Sequence, residues 1–193
     1  MKHFTELTPS AMRIVDTAEG LIQRVGYNGF SYEDIAVQIG IRKPSVHHHF
    51  ATKAELGAVV VQRYTHRFAE ALSRIETTFA QAPDRLKAYA GLFASTYAQD
   101  GQLCVCGMLG AEAQSLPEDI RSGIRDFFRI NLGWLTAVIE KGLAQGSLRS
   151  SRSPSELAGA LLALLEGSML VGRGLGHGFD PQATAEILFA SIT

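Results

Sequence analysis

Apolar residues recur at helical spacing from one end of the chain to the other. Near the N-terminus Met12, Val15, Ala18, Ile22 and Val25 fall three or four positions apart, which places them on one stripe of a helix. Thr8 stands at the expected N-cap, Pro9 at the first helical position and Gly26 at the expected stop. Ser31-Tyr32-Glu33-Asp34 reads as a cap with an acid at the third helical position, and it opens a short helix through Ile35, Ala36 and Ile39. Gly40 ends that helix, and Arg42-Lys43-Pro44 starts another that runs through Val46 towards Phe50. Thr52-Lys53-Ala54-Glu55 reads as a second capping box, opening a longer helix to about Phe79.

Beyond Pro83 the periodic segments lengthen, predicting helices over 84–99, 103–115, 117–145, 154–173 and 181–192. Breaks fall at Asp100-Gly101, at Leu116-Pro117, from Gly146 to Pro154 and from Gly172 to Gly178. Strand-like alternation is nearly absent and no internal repeat is visible, so the fold class is all-α. Three short helices and a departing fourth within the first third, joined by tight glycine turns, are the organisation of a helix-turn-helix domain.

Composition adds little that is specific. Of 193 residues 46% are hydrophobic and 19% charged, an ordinary globular balance with a net charge of −1. Residues 1–67 hold eight Lys/Arg against six Asp/Glu, a surplus of +2 that leaves −3 for the remainder, and five of the six histidines also lie there. That asymmetry fits a DNA-facing end without establishing one. Cys104 and Cys106 are too few and too close for a disulfide framework. No basic stretch followed by an apolar core opens the chain, so no signal peptide is expected. The longest apolar stretch, Leu157 to Val171, contains Glu166 and Gly167 and falls short of the roughly 20 residues that span a bilayer. A cytoplasmic protein without a membrane partner is the expectation.

A helix-turn-helix sets its second helix in the major groove, with side chains near that helix's start reaching base edges. Gly40 supplies the turn. Ile35, Ala36, Ile39, Ile41, Val46 and Phe50 supply the apolar lock, and Arg42, Lys43, Ser45, His47 and His48 are left facing outward. Phe30-Ser31-Tyr32 with Ile35-Ala36, then Gly40 to Val46, then His49-Phe50 and Thr52-Lys53-Ala54-Glu55-Leu56, resembles the DNA-binding domain of the TetR family over about residues 10–60. The resemblance implies a DNA-binding domain at 1–53 and a helical effector-binding and dimerisation domain at 54–193. It implies phosphate contacts from Ser31, Tyr32, His47 and Lys53, and contacts to bases or adjacent backbone from Lys43, Pro44, Ser45 and His48, with Arg42 beside them. His47 replaces the family's usual tyrosine, so the DNA affinity is expected to gain a pH dependence. Consecutive helical side chains point about 100° apart, so His47, His48 and His49 cannot converge on one metal ion. No metal or cofactor is expected.

In the second half, Leu103-Cys104-Val105-Cys106-Gly107-Met108-Leu109, followed by Ala111-Glu112 and Leu116-Pro117, resembles a subgroup of the same family, some of whose members sense electrophiles or oxidants with a nearby cysteine. A thiol in the first turn of a helix feels the positive end of the dipole, which favours thiolate. Both cysteines read first as small apolar core residues, as buried free cysteines usually are, then as sensing thiols, and last as a C-x-C metal pair, which lacks further ligands nearby. Phe93, Tyr97, Met108, Phe127 and Trp134, with Cys104 and Cys106, form the candidate effector pocket; Phe128 belongs to the same aromatic set. The segment 157–171 is apolar almost all round, so it needs cover on two sides. A second copy of the chain is the simplest cover, with Leu157, Leu161, Leu164, Leu165, Ser168, Met169 and Leu188 as the candidate dimer interface. The resulting expectation is a homodimeric repressor, released from a pseudo-palindromic duplex by a small-molecule or thiol-reactive effector. A DNA-binding activator or recruiter without a ligand, and an α-helical cysteine enzyme, are the competing readings.

Overall fold

The computed structural model of the chain describes residues 4–176 and 179–192. Among them nine α-helices carry the fold: α1 (Pro9–Val25), α2 (Tyr32–Ile39), α3 (Lys43–His49), α4 (Lys53–Thr78), α5 (Ala82–Tyr97), α6 (Val105–Ala111), α7 (Glu118–Ala144), α8 (Pro154–Leu175) and α9 (Pro181–Phe189). Short 3₁₀ turns occupy Phe4–Glu6 and Ala113–Ser115, and the described residues contain no strand. The all-α expectation therefore holds. The break expected from Gly172 to Gly178 narrows to Gly176, which caps α8 in a left-handed conformation; Gly178 lies outside the described residues.

The helix ends follow from local chemistry. Thr8 Oγ1 accepts from the Ala11 N–H, Pro9 opens α1, and the Gly26 N–H donates to the Ile22 carbonyl at 3.0 Å. Ser31 caps α2, its hydroxyl accepting from the Glu33 N–H, while Asp34 accepts from both the N–H and the hydroxyl of Ser31 at 2.7 Å. At α4 the Thr52 hydroxyl accepts from the Glu55 N–H as expected, but the Glu55 carboxylate reaches past Thr52 to the Ala51 N–H. The helix expected over 103–115 is shorter: α6 ends at Ala111, after seven residues that include Gly107 and Gly110. α8 is longer than its apolar stretch suggested. At 22 residues it passes for a membrane span by length and composition alone, but Leu157, Leu161, Leu165 and Met169 are buried within the chain, as in the core helix of a globular fold.

Compactness divides the chain into two units: residues up to Arg67 together with Val105–Phe127, and Phe68–Cys104 together with the residues from Phe128 on. The first unit thus takes α4 as far as Arg67 and recruits α6 from the middle of the chain, where the sequence suggested a boundary at residue 53. Its core is Ile14, Val15, Ile22, Ile35, Val46 and Phe50, all fully buried. A buried cation joins α1 to α4: Arg63 donates to Asp16 at 2.6 Å and to Glu19 at 2.9 Å, and Arg67 also pairs with Glu19. In the second unit α9 packs on α5 and α8.

Taking a guanidinium out of water is costly unless its partners stay in place, and removing it strands Glu19, itself buried. Arg63→Leu is expected to lower stability by about 3 kcal/mol in urea unfolding, since Arg67 compensates only part of the loss. A loss below about 1 kcal/mol would show that the pair is not what fastens α1 to α4.

Candidate nucleic-acid interface and effector site

The turn between α2 and α3 is built on Gly40. At φ 69° it sits in the left-handed region, which a side chain disfavours, and this lets the Ile41 N–H reach back to the Ala36 carbonyl at 2.9 Å. Arg13 adds a donor to the Ile39 carbonyl at 2.9 Å, so the end of α2 is capped from α1 as well. α3 starts at once after Arg42 and turns Val46 into the core, with Phe50 buried just past its end. Arg42, Lys43, Pro44, Ser45, His47 and His48 are all exposed. A seven-residue helix with one buried residue and a basic, polar outer face is poorly explained by packing; it is suited to lying against a phosphate-lined groove.

Three of the sequence-predicted DNA contacts have other work. Tyr32 is buried and its hydroxyl donates to the Phe50 carbonyl at 3.0 Å, so the ring locks α2 to the end of α3 and cannot donate to a phosphate. Its edge also meets the His47 ring, 4.6 Å between centroids. Ser31 spends its one hydroxyl proton on Asp34, whose carboxylate that bond holds below the usual range, and an acid there repels phosphate. Lys53 turns inward: Nζ donates to the Tyr27 carbonyl at 2.5 Å and to the Phe30 carbonyl, and lies 4.0 Å from the Phe30 ring centroid. Burial pulls its ammonium below the ordinary lysine range, with Glu112 and Asp34 opposing. It is a latch on the α1–α2 turn, not a free cation for phosphate.

A second latch grips the same turn. Glu112, just past α6, accepts from the Tyr27 N–H at 2.6 Å and from both the backbone and side-chain nitrogens of Asn28 at 3.0 Å. Gly26, at φ 79°, precedes this clasp, and a Cβ there would come within 2.9 Å of the Glu112 carboxylate. From sequence Glu112 was named only within the subgroup motif and Arg13 was given no role, because their partners lie far along the chain.

The candidate effector residues do not form one set. Cys106, Met108 and Phe127 belong to the first unit, where Phe127 is core beside Tyr64. Phe93, Tyr97, Cys104 and Trp134 belong to the second, as does Phe128. Tyr97 lines two surface clefts of about 500 and 310 Å³, one with Gly101 and Arg173, the other with Phe179 and Pro181. Phe93 and Trp134 flank the fully buried Tyr89, at 5.4 and 5.5 Å between centroids, with Trp134 stacked. The Tyr89 hydroxyl donates to Asn131 Oδ1 at 2.7 Å. Cys104, buried and just before α6, hydrogen-bonds to Glu166 on α8. Burial pushes the Glu166 carboxyl up to about 7, with the Cys104 hydrogen bond opposing, and among the described residues Tyr89 also interacts with it. Two polar atoms in this neighbourhood are buried without a hydrogen-bond partner among the described residues, Glu166 Oε1 and Trp134 Nε1. Of the two thiols expected in the first turn of a helix, Cys106 lies there, at the second position of the seven-residue α6, and Cys104 precedes the helix. Sequence reasoning passed over Tyr89, Asn131 and Glu166, although Glu166 is the lone acid in the longest apolar stretch.

The candidate dimer face also needs correction. Leu157, Leu161, Leu165, Ser168 and Met169 are buried within the single chain, so they fill its own core. Leu164 and Leu188 are only partly exposed. The outward side of α8 is instead Ala160, Ala163, Gly167, Leu170 and Val171, with Ile187 on α9; Leu170 is 59% and Ile187 75% exposed. Nothing would meet a Cβ at Gly159, Gly167 or Gly174, so this side stands open.

Comparison with known proteins places both halves. The family model for bacterial regulatory proteins of the tetR family matches residues 14–59, and that for the tetracyclin repressor-like C-terminal domain matches residues 82–190. The chain is 27% identical over 167 residues to the HTH-type transcriptional repressor DhaR of Mycobacterium sp. (strain GP1), covering 84% of this chain and 82% of that protein. It is 26% identical over 178 residues to the HTH-type transcriptional repressor NemR of Escherichia coli (strain K12), covering 89% and 87%. A TetR-family regulator from Agrobacterium tumefaciens has a crystal structure that superposes with a TM-score of 0.89 at 35% identity, covering 95% of this chain and 97% of that one.

Glu166 generates a pH signature. A carboxyl whose pKa is raised on folding holds its proton more tightly in the folded state, so it stabilises below about 4.5 and that contribution is lost as pH rises through about 7. Between those limits the loss is at most roughly 3 kcal/mol. Glu166→Gln is expected to remove this component, so that the stability difference between variant and wild type grows from pH 5 to pH 8 in urea unfolding. Parallel pH dependence in the two proteins would contradict the burial of this carboxyl.

Proposed function

The chain belongs to the TetR family of DNA-binding transcriptional regulators, and from that premise we propose that it is a homodimeric repressor, released from a pseudo-palindromic operator when a small or thiol-reactive effector reaches its helical body. The observation that carries the DNA-binding half is α3, with Val46 alone buried and Arg42, Lys43, Pro44, Ser45, His47 and His48 exposed. Lys43 can donate to guanine O6 and N7, Pro44 offers an apolar face to a thymine methyl, and Arg42 and His47 suit phosphates. The names of DhaR and NemR support repression over activation. Under this reading residues 1–53 hold the reading head, residues 54–193 receive the effector and dimerise, and the protein acts in the cytoplasm.

Dimerisation is assigned to the open side of α8 and α9. Alanine and glycine at 160, 163 and 167 let a partner helix approach closely, and Leu170, Val171 and Ile187 supply apolar area. Spacing between two heads, about 34–36 Å for half-sites one turn apart, is then the quantity an effector changes.

Two covalent routes lead to the head. α4 begins at the Lys53 latch and continues past Arg67, and the segment from Cys104 runs through α6 to the Glu112 clasp eight residues on. An adduct on Cys104 displaces the start of α6, and Glu112 passes the displacement to the α1–α2 turn. The operator is released only by as much as the effector's differential affinity for the two head positions, and by reciprocity operator DNA weakens the effector equally.

Binding to a duplex selected from a randomised pool tests the reading. Lys43→Ala should cost about 1–3 kcal/mol and relax one base position, and Arg42→Ala should lower the salt slope by about one. Lys53→Ala should lower thermal stability and leave that slope unchanged. Wild-type binding by both Lys43→Ala and Arg42→Ala would overturn the assignment of α3 as the reading helix. Leu170→Glu should give a monomer in sedimentation that no longer holds the operator; a dimeric Leu170→Glu protein would place the interface elsewhere.

A further inference from the structure

Early in their lengths α4 and α7 meet inside the first unit, and beside that contact they leave a cleft of about 320 Å³. A Cβ at Gly57 would come within 2.6 Å of the Ile120 side chain, and one at Gly123 within 2.7 Å of Val61, so the two backbones lie close and the floor is fixed. Ala58, Val61, Gln62 and Thr65 line one wall. Asp119, Ser122, Gly123 and Asp126 line the other. Each set recurs at helical spacing and so occupies one face of its helix. DNA binding and the dimer face on α8 and α9 use none of these residues.

The walls carry two acids and no base. The arginines nearest along each helix are engaged elsewhere: Arg63 and Arg67 with acids on α1, Arg121 and Arg125 with Glu118. Asp119 takes part in no ion pair among the described residues. The uncharged polar groups are also unsatisfied. Thr17, Thr96 and Thr136 return their hydroxyl protons to carbonyls one turn back in their helices, but Thr65 Oγ1 is buried with no hydrogen-bond partner among the described residues. Gln62 Oε1 is buried and unpartnered in the same way. Two such oxygens on one wall of a cleft are costly unless a guest supplies donors.

We propose that this cleft binds a compact organic cation, an ammonium carried on a small aliphatic body. The ammonium N–H groups supply the donors that Gln62 and Thr65 lack, and its charge matches the acids of the facing wall. Gln62 presents its oxygen by turning about its last torsion, which has no strong preference. Ala58, Val61 and Gly123 receive the aliphatic part. An anion would be repelled by Asp119 and Asp126. A bare metal ion would leave most of the cleft unfilled, and no group of three or more His, Cys, Asp or Glu among the described residues could hold one. This site needs neither the cysteines nor release of the operator, so it stands apart from the reading above.

Cyclohexylammonium is the probe, titrated into the isotope-labelled full chain and followed by amide NMR, with cyclohexanol as its neutral counterpart. The Val61 and Gly123 amides are expected to shift together and saturate with a midpoint of about 1 mM, the strength seven non-hydrogen atoms supply at ordinary ligand efficiency. Cyclohexanol should bind at least about tenfold more weakly. Asp119→Asn should weaken ammonium binding about threefold to tenfold at low salt. Gln62→Met, which removes the unpartnered oxygen at similar size, should weaken it about threefold. The urea midpoint of the free Gln62→Met protein should stay the same or rise, because an unsatisfied acceptor has gone. Equal affinity for the alcohol and the ammonium overturns the proposal, as does saturation that spares Val61 and Gly123, or parent-like affinity in both variants. No saturation by about 20 mM also overturns it and leaves the buried oxygens to water alone. Should Gln62→Met not fold, Asp119→Asn and the alcohol comparison in the parent chain decide.

Discussion

The turn between α1 and α2 is the point on which the head depends, because its backbone is held from both polarities at once. Its donors, the N–H groups of Tyr27 and Asn28, go to the Glu112 carboxylate, and its acceptors, the carbonyls of Tyr27 and Phe30, go to the Lys53 ammonium. Both ions come from outside the turn: Lys53 opens α4, and Glu112 lies more than eighty residues along the chain. Each bond is charge-assisted, and losing either partner would leave backbone groups unpaired at roughly 1–3 kcal/mol apiece. The glycine at 26 leaves room for the carboxylate, and the head is thereby fastened to the residue just past α6 as well as to its own helices.

That fastening explains why α3 can be so sparsely buried. A seven-residue helix contributing Val46 alone to the core would be marginal by itself. Tyr32 holds it through the Phe50 carbonyl, and Gly40 and Arg13 fix the end of α2 before it. With orientation secured by α1, α2 and the two latches, the exposed positions Lys43, Ser45, His47 and His48 of α3 are released for polar and basic side chains. Packing and recognition fall largely to different residues: those that hold the head are buried or capped, while among the exposed side chains of α3 His47 meets the Tyr32 ring and His48 the His49 ring.

Much of the fold was legible because it rests on local rules. The caps at Thr8 and Ser31, the stops at Gly26 and Gly40, and the helices that follow Pro154 and Pro181 obey propensities that act within one turn. The outward face of α3 was legible for the same reason. What misled was chemistry completed at a distance. Lys53 looks like a phosphate ligand until the Tyr27 and Phe30 carbonyls appear beneath it, and Tyr32 looks available until its hydroxyl is found on Phe50. On α8, a helix apolar on all sides gives no phase, so residues that fill the chain's own core stood in for those that face outward. Glu166 fell between two readings, as an interruption of an apolar stretch, when its thiol partner lies 62 positions earlier.

The central claim is that a change at Cys104 reaches the DNA-binding head through α6 and Glu112. Amide hydrogen exchange at Tyr27 and Asn28 reads that connection directly, since both N–H groups are held by the Glu112 carboxylate. Alkylation of Cys104 in the chain carrying Cys106→Ser should speed exchange at these two amides, while the Phe50 amide, bonded to the Val46 carbonyl at the end of α3, keeps its protection. Operator release with unchanged exchange at Tyr27 and Asn28 would contradict it.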